Sequence, residues 1–178
     1  MIEKLTYDTR RASWIHNNQS VTVDLDEIIM VRMQEKHVTI SCGKNYITHR
    51  MYHYSFDGYL LFYYNKNSGD IEWSHAEKTY KVHVDSLCLS SYYPNKNVIL
   101  IMYDENERKV KVIDLNGKEL SFAVAPNGYK MMYFQENSGQ IYVVCDGNKD
   151  QADQFGRNRM NFRLDIDTGE LTLVGLGY

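Results

Sequence analysis

The sequence has few of the residues that break or cross-link a chain. Only two of its 178 residues are proline and three are cysteine. Cys42, Cys88 and Cys145 are an odd number at wide spacing, so a disulfide framework is not expected. Each lies in or beside an apolar segment, which favours buried free thiols. A chain of this length buries enough apolar surface to fold without a disulfide or a metal.

Clusters of one charge and long apolar runs are also scarce. The net charge is -3, and no window concentrates lysine and arginine into the basic stripe of a nucleic-acid binder. Apolar runs such as Val98 to Tyr103 are far shorter than the roughly 20 residues that cross a bilayer. Residues 1–8 lack the apolar core of a signal peptide. We therefore expect a cytoplasmic protein that binds neither nucleic acid nor membrane.

Strand-forming residues, in contrast, are abundant. The chain contains fifteen tyrosines and six phenylalanines, and apolar residues alternate with polar ones along most of its length. Val21, Val23 and Leu25 alternate with Thr22 and Asp24, for example. Alternation with a period of two is typical of half-buried β-strands, and a helical period is not sustained anywhere. The sequence therefore predicts an all-β fold of antiparallel meanders.

One segment occurs twice. Residues 58–71 return as residues 128–141, with Gly, Tyr, a second Tyr, Asn, Ser, Gly and Ile at the same spacing. Each copy reads as an apolar strand, an Asn-Ser-Gly turn and a returning strand, because these small residues tolerate the left-handed conformation. With a weaker copy between the two, the repeating unit is about 35 to 45 residues, the period of a propeller blade.

The strand pattern divides a single predicted domain, 1–178, into four units. Their expected boundaries are 20–54, 58–90, 97–124 and 128–174. Asn116-Gly117 predicts a two-residue hairpin turn with positive φ at both positions. Ser55 to Gly58 is expected to begin a strand, and the role of the residues before Val21 is left open.

The hairpin from Phe162 to Val174 reads as an apolar strand, an Asp, a Thr-Gly turn and a second apolar strand. It resembles the outer hairpin of blades in β-propeller-like repeat proteins. The resemblance implies a small or partial propeller, in a class whose members have mixed functions. A β-sandwich and a dimer that completes its ring remain as alternatives.

Motifs for catalysis and metal binding are not found. His49 and His53 are four apart, but on a strand this places them roughly 13 Å from each other, too far to share an ion. Asp165 to Glu170 lacks the glycine and glutamate positions of a calcium loop. No nucleophile elbow or phosphate-binding glycine loop occurs. We therefore predict no metal, no cofactor and no enzymatic activity.

The fourth unit departs from the second after Cys145, where a mostly polar stretch lengthens one hairpin. Loops of this length are either functional or disordered, so a contact loop and a mobile loop are both open. Phenylalanine and arginine anchor interfaces, and the aspartates suit a basic partner. The candidate partner-binding residues are Asp146, Asn148, Asp150, Asp153, Phe155, Arg157 and Arg159.

A second candidate surface is rich in aromatic residues, whose ordinary role is to fill the space between sheets. It comprises Tyr52, His53, Tyr54, Tyr63, Tyr64 and Trp73.

Taken together, the sequence predicts a non-enzymatic protein-binding module. Its partner is another protein, and an immunity protein that neutralises a toxin is one concrete version, reached by elimination. Two alternatives stay open: a carbohydrate-active or hydrolytic propeller with carboxylates and aromatics at its blade tops, and a structural module that completes a larger assembly or a homo-oligomer.

Overall fold

The computed structural model describes residues 2–177. Within that range the chain forms four antiparallel sheets, and the neighbours in every sheet are consecutive strands. The predicted all-β fold of antiparallel meanders is confirmed. The chain divides after Val84 into two compact units, which are described separately.

The first unit contains a three-stranded and a six-stranded sheet. The three-stranded sheet consists of β1 (Ile2–Tyr7), β2 (Arg11–His16) and β3 (Gln19–Asp24). The six-stranded sheet consists of β4 (Ile28–Met33), β5 (Val38–Lys44), β6 (Ile47–Tyr54), β7 (Leu60–Asn65), β8 (Asp70–His75) and β9 (Lys78–His83). Strands β1 and β2 fill the region that the sequence pattern left open. A bulge with Lys4 at φ 52 interrupts the alternation in β1.

The predicted units 20–54 and 58–90 do not correspond to separate sheets in this unit. Ser55 donates its N–H to the carbonyl of Tyr59 at 2.8 Å, and Gly58 donates to the carbonyl of Ser55 at 3.0 Å. These bonds make residues 55–58 a tight hairpin turn rather than the beginning of a strand. As a result β7 pairs directly with β6, and the six-stranded sheet runs through the expected boundary.

A cluster of apolar residues on β2, β4 and β5 forms one core of the first unit, and Ala12, Trp14 and Ile40 are among its buried members. The Trp14 indole N–H donates to the carbonyl of Phe56 at 2.7 Å, which satisfies the polar atom of a buried ring. Much of the aromatic candidate surface is also interior. Tyr64 and Trp73 are buried, while Tyr52, Tyr54 and Tyr63 are half-buried.

The second unit contains two four-stranded meanders. One comprises β10 (Leu87–Tyr93), β11 (Val98–Asp104), β12 (Arg108–Asp114) and β13 (Glu119–Val124). The other comprises β14 (Tyr129–Asn137), β15 (Gln140–Gly147), β16 (Arg159–Leu164) and β17 (Leu171–Leu176). The strand β10 begins inside the predicted unit 58–90 but pairs with β11. The helical segments in residues 2–177 are two three-residue 3-10 turns, and none of the described helices is long and apolar enough to cross a membrane.

The two meanders of the second unit share a core. Leu100, Met102 and Val112 of the first pack in one cluster with Met131 and Val143 of the second. The turn between β16 and β17 also reaches strand β13 at the edge of the first meander. The hydroxyl of Ser121 donates to the carbonyl of Ile166 at 2.7 Å. Gly169 lies so close to the Phe122 backbone that a Cβ on this glycine would be 2.0 Å from its carbonyl oxygen.

The predicted two-residue turn at Asn116-Gly117 is wrong, because only Gly117 has positive φ. The carboxylate of Asp114 accepts the N–H groups of Asn116 at 2.9 Å and Lys118 at 2.8 Å. The Asp114 N–H also donates to the carbonyl of Lys118. An aspartate that binds the backbone in this way favours a longer loop than Asn-Gly alone would form.

All three cysteines are free thiols, as predicted. Cys42 and Cys145 are buried, whereas Cys88 is half-buried. Burial raises the pKa of Cys42 to about 11 and that of Cys145 to about 12, so both thiols stay protonated at neutral pH.

Candidate functional site

The β15–β16 loop, residues 148–158, begins and ends at a closed hairpin base. Asp146 and Arg159 are the last paired residues of the two strands. Beyond them the Gly147 N–H donates to the carbonyl of Asn158 at 2.8 Å, and the Asn158 side-chain amide donates to the carbonyl of Gly147. The loop therefore leaves the sheet from a fixed base.

The first half of the loop is fastened to the chain before β14. Asn148 donates its N–H to the carbonyl of Gly128 at 2.8 Å, and its side-chain oxygen accepts the N–H of Asp150 at 3.0 Å. This cap starts the short 3-10 turn Lys149–Gln151. The side chain of Gln151 lies directly over Gly128 and Gly147, where any Cβ would come within 2.9 and 2.6 Å of it.

The second half of the loop is a turn organised by Asp153. One carboxylate oxygen accepts the N–H groups of Phe155 at 2.8 Å and Arg157 at 3.0 Å, and the other accepts from Arg157 Nε at 2.8 Å. The Asp153 N–H donates back to the carbonyl of Arg157. The bonds from Arg157 hold the pKa of this carboxyl below its usual range. Phe155 stands at the tip of this turn.

Phe155 is exposed despite the order around it. The residue is 72% accessible to solvent. The Arg157 guanidinium lies 5.1 Å from the centre of its ring, a cation–π contact. The contact supports the ring from one side while Asp153 fixes the backbone on either side of it.

Asp146 and Arg159 form a two-pronged ion pair at the base of the loop. Arg159 Nε and Nη2 donate to the two carboxylate oxygens of Asp146 at 2.6 and 3.0 Å. The hydrogen bond from Arg159 lowers the pKa of Asp146, and the same bond raises that of Arg159. Such fork geometry fixes the plane of the guanidinium as well as its position.

A cleft of about 360 Å³ opens beside this base. Its lining residues are Asp146, Arg157, Asn158, Arg159, Leu176 and Gly177. Gly177 donates its N–H to the carbonyl of Arg159 at 2.9 Å, and a Cβ on Gly177 would lie 2.9 Å from Arg159 Cγ. The end of the described chain therefore packs on the aliphatic stem of this arginine.

The structure divides the candidate partner-binding residues into three groups. Asp146, Arg157 and Arg159 line the cleft. Asp153 shapes the turn that presents Phe155. Asn148 and Asp150 belong to the 3-10 turn, where the Asn148 side chain serves as a cap. The role of all these candidate residues in binding a partner stays a prediction.

Sequence reasoning missed Gln151, Asn158, Leu176 and Gly177. Gln151 and Asn158 lie inside the polar stretch, but nothing in their type shows that one packs on glycines and the other closes the loop base. Leu176 and Gly177 follow the last predicted unit by a few residues, and only the pairing of β16 with β17 brings them to the cleft.

Two histidines of the first unit form a stacked pair. The rings of His37 and His53 have centroids 4.6 Å apart and planes 13° from parallel. Burial, together with the neighbouring His37, lowers the pKa of His53 to about 3, and burial also lowers that of His37. In the described part of the chain, no three His, Cys, Asp or Glu side chains are grouped so that they could hold a metal.

No protein-family model and no curated protein matches the chain. Among solved structures it is similar to dihydro-heme d1 dehydrogenase NirN in complex with DHE, with a TM-score of 0.45 and 10% identity over 91% of this chain and 42% of that one. It is also similar to a protein of unknown function from Bacteroides caccae, with a TM-score of 0.39 and 12% identity over 99% and 57% of the two chains. The chain thus spans about half the length of these structures. Likeness at this level carries no argument about function.

Proposed function

We propose that this chain is a protein-binding module that contacts its partner through the β15–β16 loop, on a propeller-like scaffold of meanders. The observation that supports this proposal is the geometry at Phe155. A large apolar ring, 72% exposed, stands at the tip of a turn in which Asp153 accepts hydrogen bonds from two backbone N–H groups and one guanidinium.

An ordered loop of this kind favours binding for an energetic reason. Association is opposed by the entropy lost when contact segments become fixed, and a loop that is already hydrogen-bonded loses less of it. Aromatic and arginine side chains carry much of the binding energy in protein interfaces. In this loop Phe155 and Arg157 are in contact with each other, so one partner surface can meet both.

The charges of the loop favour a protein partner with charges of both signs. Lys149 and Asp150 lie on one half, and Asp153 and Arg157 on the other. Paired charges around an apolar contact give selectivity and orientation more than raw affinity. An immunity protein that neutralises a toxin is the narrower version of this proposal, so protein toxins are the first partner class to test. The hydrolytic and structural-module alternatives stay predictions.

Affinity capture with matched variants tests the proposal. The full-length chain is immobilised, exposed to lysate of its source organism, and compared with the variants Phe155→Ser and Tyr59→Ser. Tyr59 is also 72% exposed but lies outside the loop. We expect one stoichiometric partner, with affinity reduced about tenfold or more by Phe155→Ser and unchanged by Tyr59→Ser. Equal retention by both variants would refute the loop as the contact surface.

A further inference from the structure

Two arginine side chains face the cleft beside the β15–β16 loop. Arg157 and Arg159 are 51% and 45% exposed, and both line the same opening of about 360 Å³. A guanidinium carries five N–H donors. Asp153 accepts from Nε and Nη2 of Arg157, and Asp146 accepts from Nε and Nη2 of Arg159. Arg159 also has a side-chain hydrogen bond with Tyr133, and each guanidinium still has N–H groups beyond those that these partners engage.

Both guanidinia are held in place before any ligand arrives. The ring of Phe155 supports Arg157 while Asp153 holds its edge. The stem of Arg159 lies against Gly177, and its head is fixed by both oxygens of Asp146. Because the orientation of these donors is set in advance, a ligand that accepts from them does not have to immobilise two flexible side chains.

The charge balance narrows the class of ligand. Asp146 and Asp153 already neutralise the two guanidinia, so the site offers directed N–H donors with little net positive charge. A singly charged, planar carboxylate can bind the remaining N–H groups of a guanidinium whose other edge already holds a carboxylate. A phosphate dianion needs uncompensated positive charge, which this cleft does not supply.

We propose that this cleft binds a carboxylate, contributed by an acidic side chain of the partner protein. The inference rests on the proposed function, since it assigns one contact of the same loop. A partner whose apolar surface covers Phe155 places an adjacent Asp or Glu over Arg157 and Arg159. In the Asp146–Arg159 and Asp153–Arg157 pairs, each aspartate then orients its arginine so that the remaining N–H groups can donate to the partner's carboxylate.

Nuclear magnetic resonance on the full-length chain tests this directly. The arginine Nε–Hε signals are followed while a hexaglutamate peptide, glutarate or inorganic phosphate is added at constant ionic strength. We expect saturable shifts at Arg157 and Arg159 with hexaglutamate, and affinity about tenfold weaker in both Arg157→Gln and Arg159→Gln. Arg163→Gln is the matched control, because Arg163 is exposed on the same strand β16 but does not line the cleft. Far-UV circular dichroism of each variant confirms that it is folded.

Each outcome supports or overturns the assignment. Tighter binding of hexaglutamate than of glutarate supports a carboxylate from a protein, and the reverse order overturns that source. Tighter binding of phosphate than of hexaglutamate overturns the carboxylate class. The site is overturned if Arg157 and Arg159 show no shifts, or if Arg163 shifts as much as they do. If the captured partner is lost by Phe155→Ser but binds Arg159→Gln normally, this inference fails while the proposed function stands.

Discussion

The two copies of the repeated segment fold into hairpins that reverse differently. In the first copy Asn65 pairs with Asp70, which leaves four residues in the turn. In the second copy Asn137 pairs with Gln140, which leaves only Ser138 and Gly139. The same Asn-Ser-Gly letters therefore form a four-residue turn in one place and a two-residue turn in the other.

The residue that starts the turn accounts for the difference. The side-chain oxygen of Asn65 accepts the N–H of Asn67 at 3.0 Å, and Gly69 donates to the Asn65 carbonyl at 2.9 Å. The second copy has Gln135 in place of Asn65, and there Ser138 and Gly139 both take positive φ. The lesson is that Asn-Ser-Gly specifies a reversal, while a short amide side chain two positions earlier sets its length.

The change in turn length shifts the pairing by two residues. Tyr64 faces Ile71 in the first copy, whereas its counterpart Phe134 faces Val143 in the second. An even shift keeps the same side chains on the same face of the sheet. Ile71 and Val143 are both buried, so the core face survives the change.

The largest expected difference between the copies is at the position of Trp73, which corresponds to Val143. Both are buried, but Trp73 also stacks on Tyr80, with ring centroids 5.3 Å apart. Trp73→Ala is expected to lower the free energy of unfolding by about 3–5 kcal/mol, and Val143→Ala by about 2 kcal/mol, because removing the larger tryptophan side chain leaves the larger cavity. Urea unfolding followed by circular dichroism measures both. Equal losses would show that the two sites repack equally well.

The turn glycines give the next largest contrast. A Cβ on Gly69 would lie 2.4 Å from the carbonyl oxygen of Val84, whereas a Cβ on Gly139 meets nothing within 4 Å. Both have positive φ, so each alanine variant is strained. We expect about 3 kcal/mol lost in Gly69→Ala and about 1 kcal/mol in Gly139→Ala. Thermal unfolding compares them, and a larger loss at Gly139 contradicts the observed turns.

The stability of the two units that carry the copies is expected to depend differently on pH. All six histidines and both tryptophans lie before residue 85, so tryptophan fluorescence reports on the first unit. The pKa of His53 falls from about 6.5 in the unfolded chain to about 3 in the folded one, so below pH 6.5 the unfolded state binds the extra proton. Stability contributed by the neutral ring is complete above pH 6.5 and declines as pH falls, by up to about 1.4 kcal/mol per pH unit.

His53→Phe removes this titration. Between pH 6.5 and 4.5 the variant is expected to lose less stability than the wild type, with His37, whose pKa is also lowered, supplying the remaining slope. Urea midpoints read from tryptophan fluorescence at each pH make the comparison. Identical slopes in variant and wild type would rule out the buried His53 as the cause.

The smallest effect is expected in the loop that only the second copy has. Phe155→Ser changes an exposed tip, so the free energy of unfolding should move by no more than about 0.5 kcal/mol. Differential scanning calorimetry measures this. A loss above about 1 kcal/mol would mean that the ring stabilises the fold, and reduced binding by this variant would then need a separate explanation.

Most strands and some of the turns were predictable from the sequence, but the turns at residues 55–58 and at Asn116-Gly117 were not. The alternating strands, the Asp-Thr-Gly turn and the long polar departure after Cys145 all correspond to structure. The six-stranded sheet was not predictable, because the residue types at 55–58 suit a hairpin turn within one sheet as well as a boundary between two units. Strand β1 was hidden by the bulge at Lys4.

The site was only half readable for a related reason. Asp153, Phe155 and Arg157 are close in sequence, so their turn is local chemistry. The cleft depends on Gly177 reaching Arg159 across the pairing of β16 with β17. Contacts between distant segments leave no trace in residue type alone.

The close approach of Gly169 to the Phe122 backbone has a consequence for solubility. Strand β13 is at the edge of its meander and carries the exposed apolar residues Phe122 and Val124. An edge strand with exposed apolar side chains can pair with a strand of another molecule. The β16–β17 turn contacts the middle of this strand at Ser121 and Phe122, so we expect it to hinder the addition of another strand there. A side chain at position 169 would clash with the Phe122 backbone as one at position 69 would with Val84, so beside a comparable loss of stability we expect the protein that remains folded to self-associate through β13.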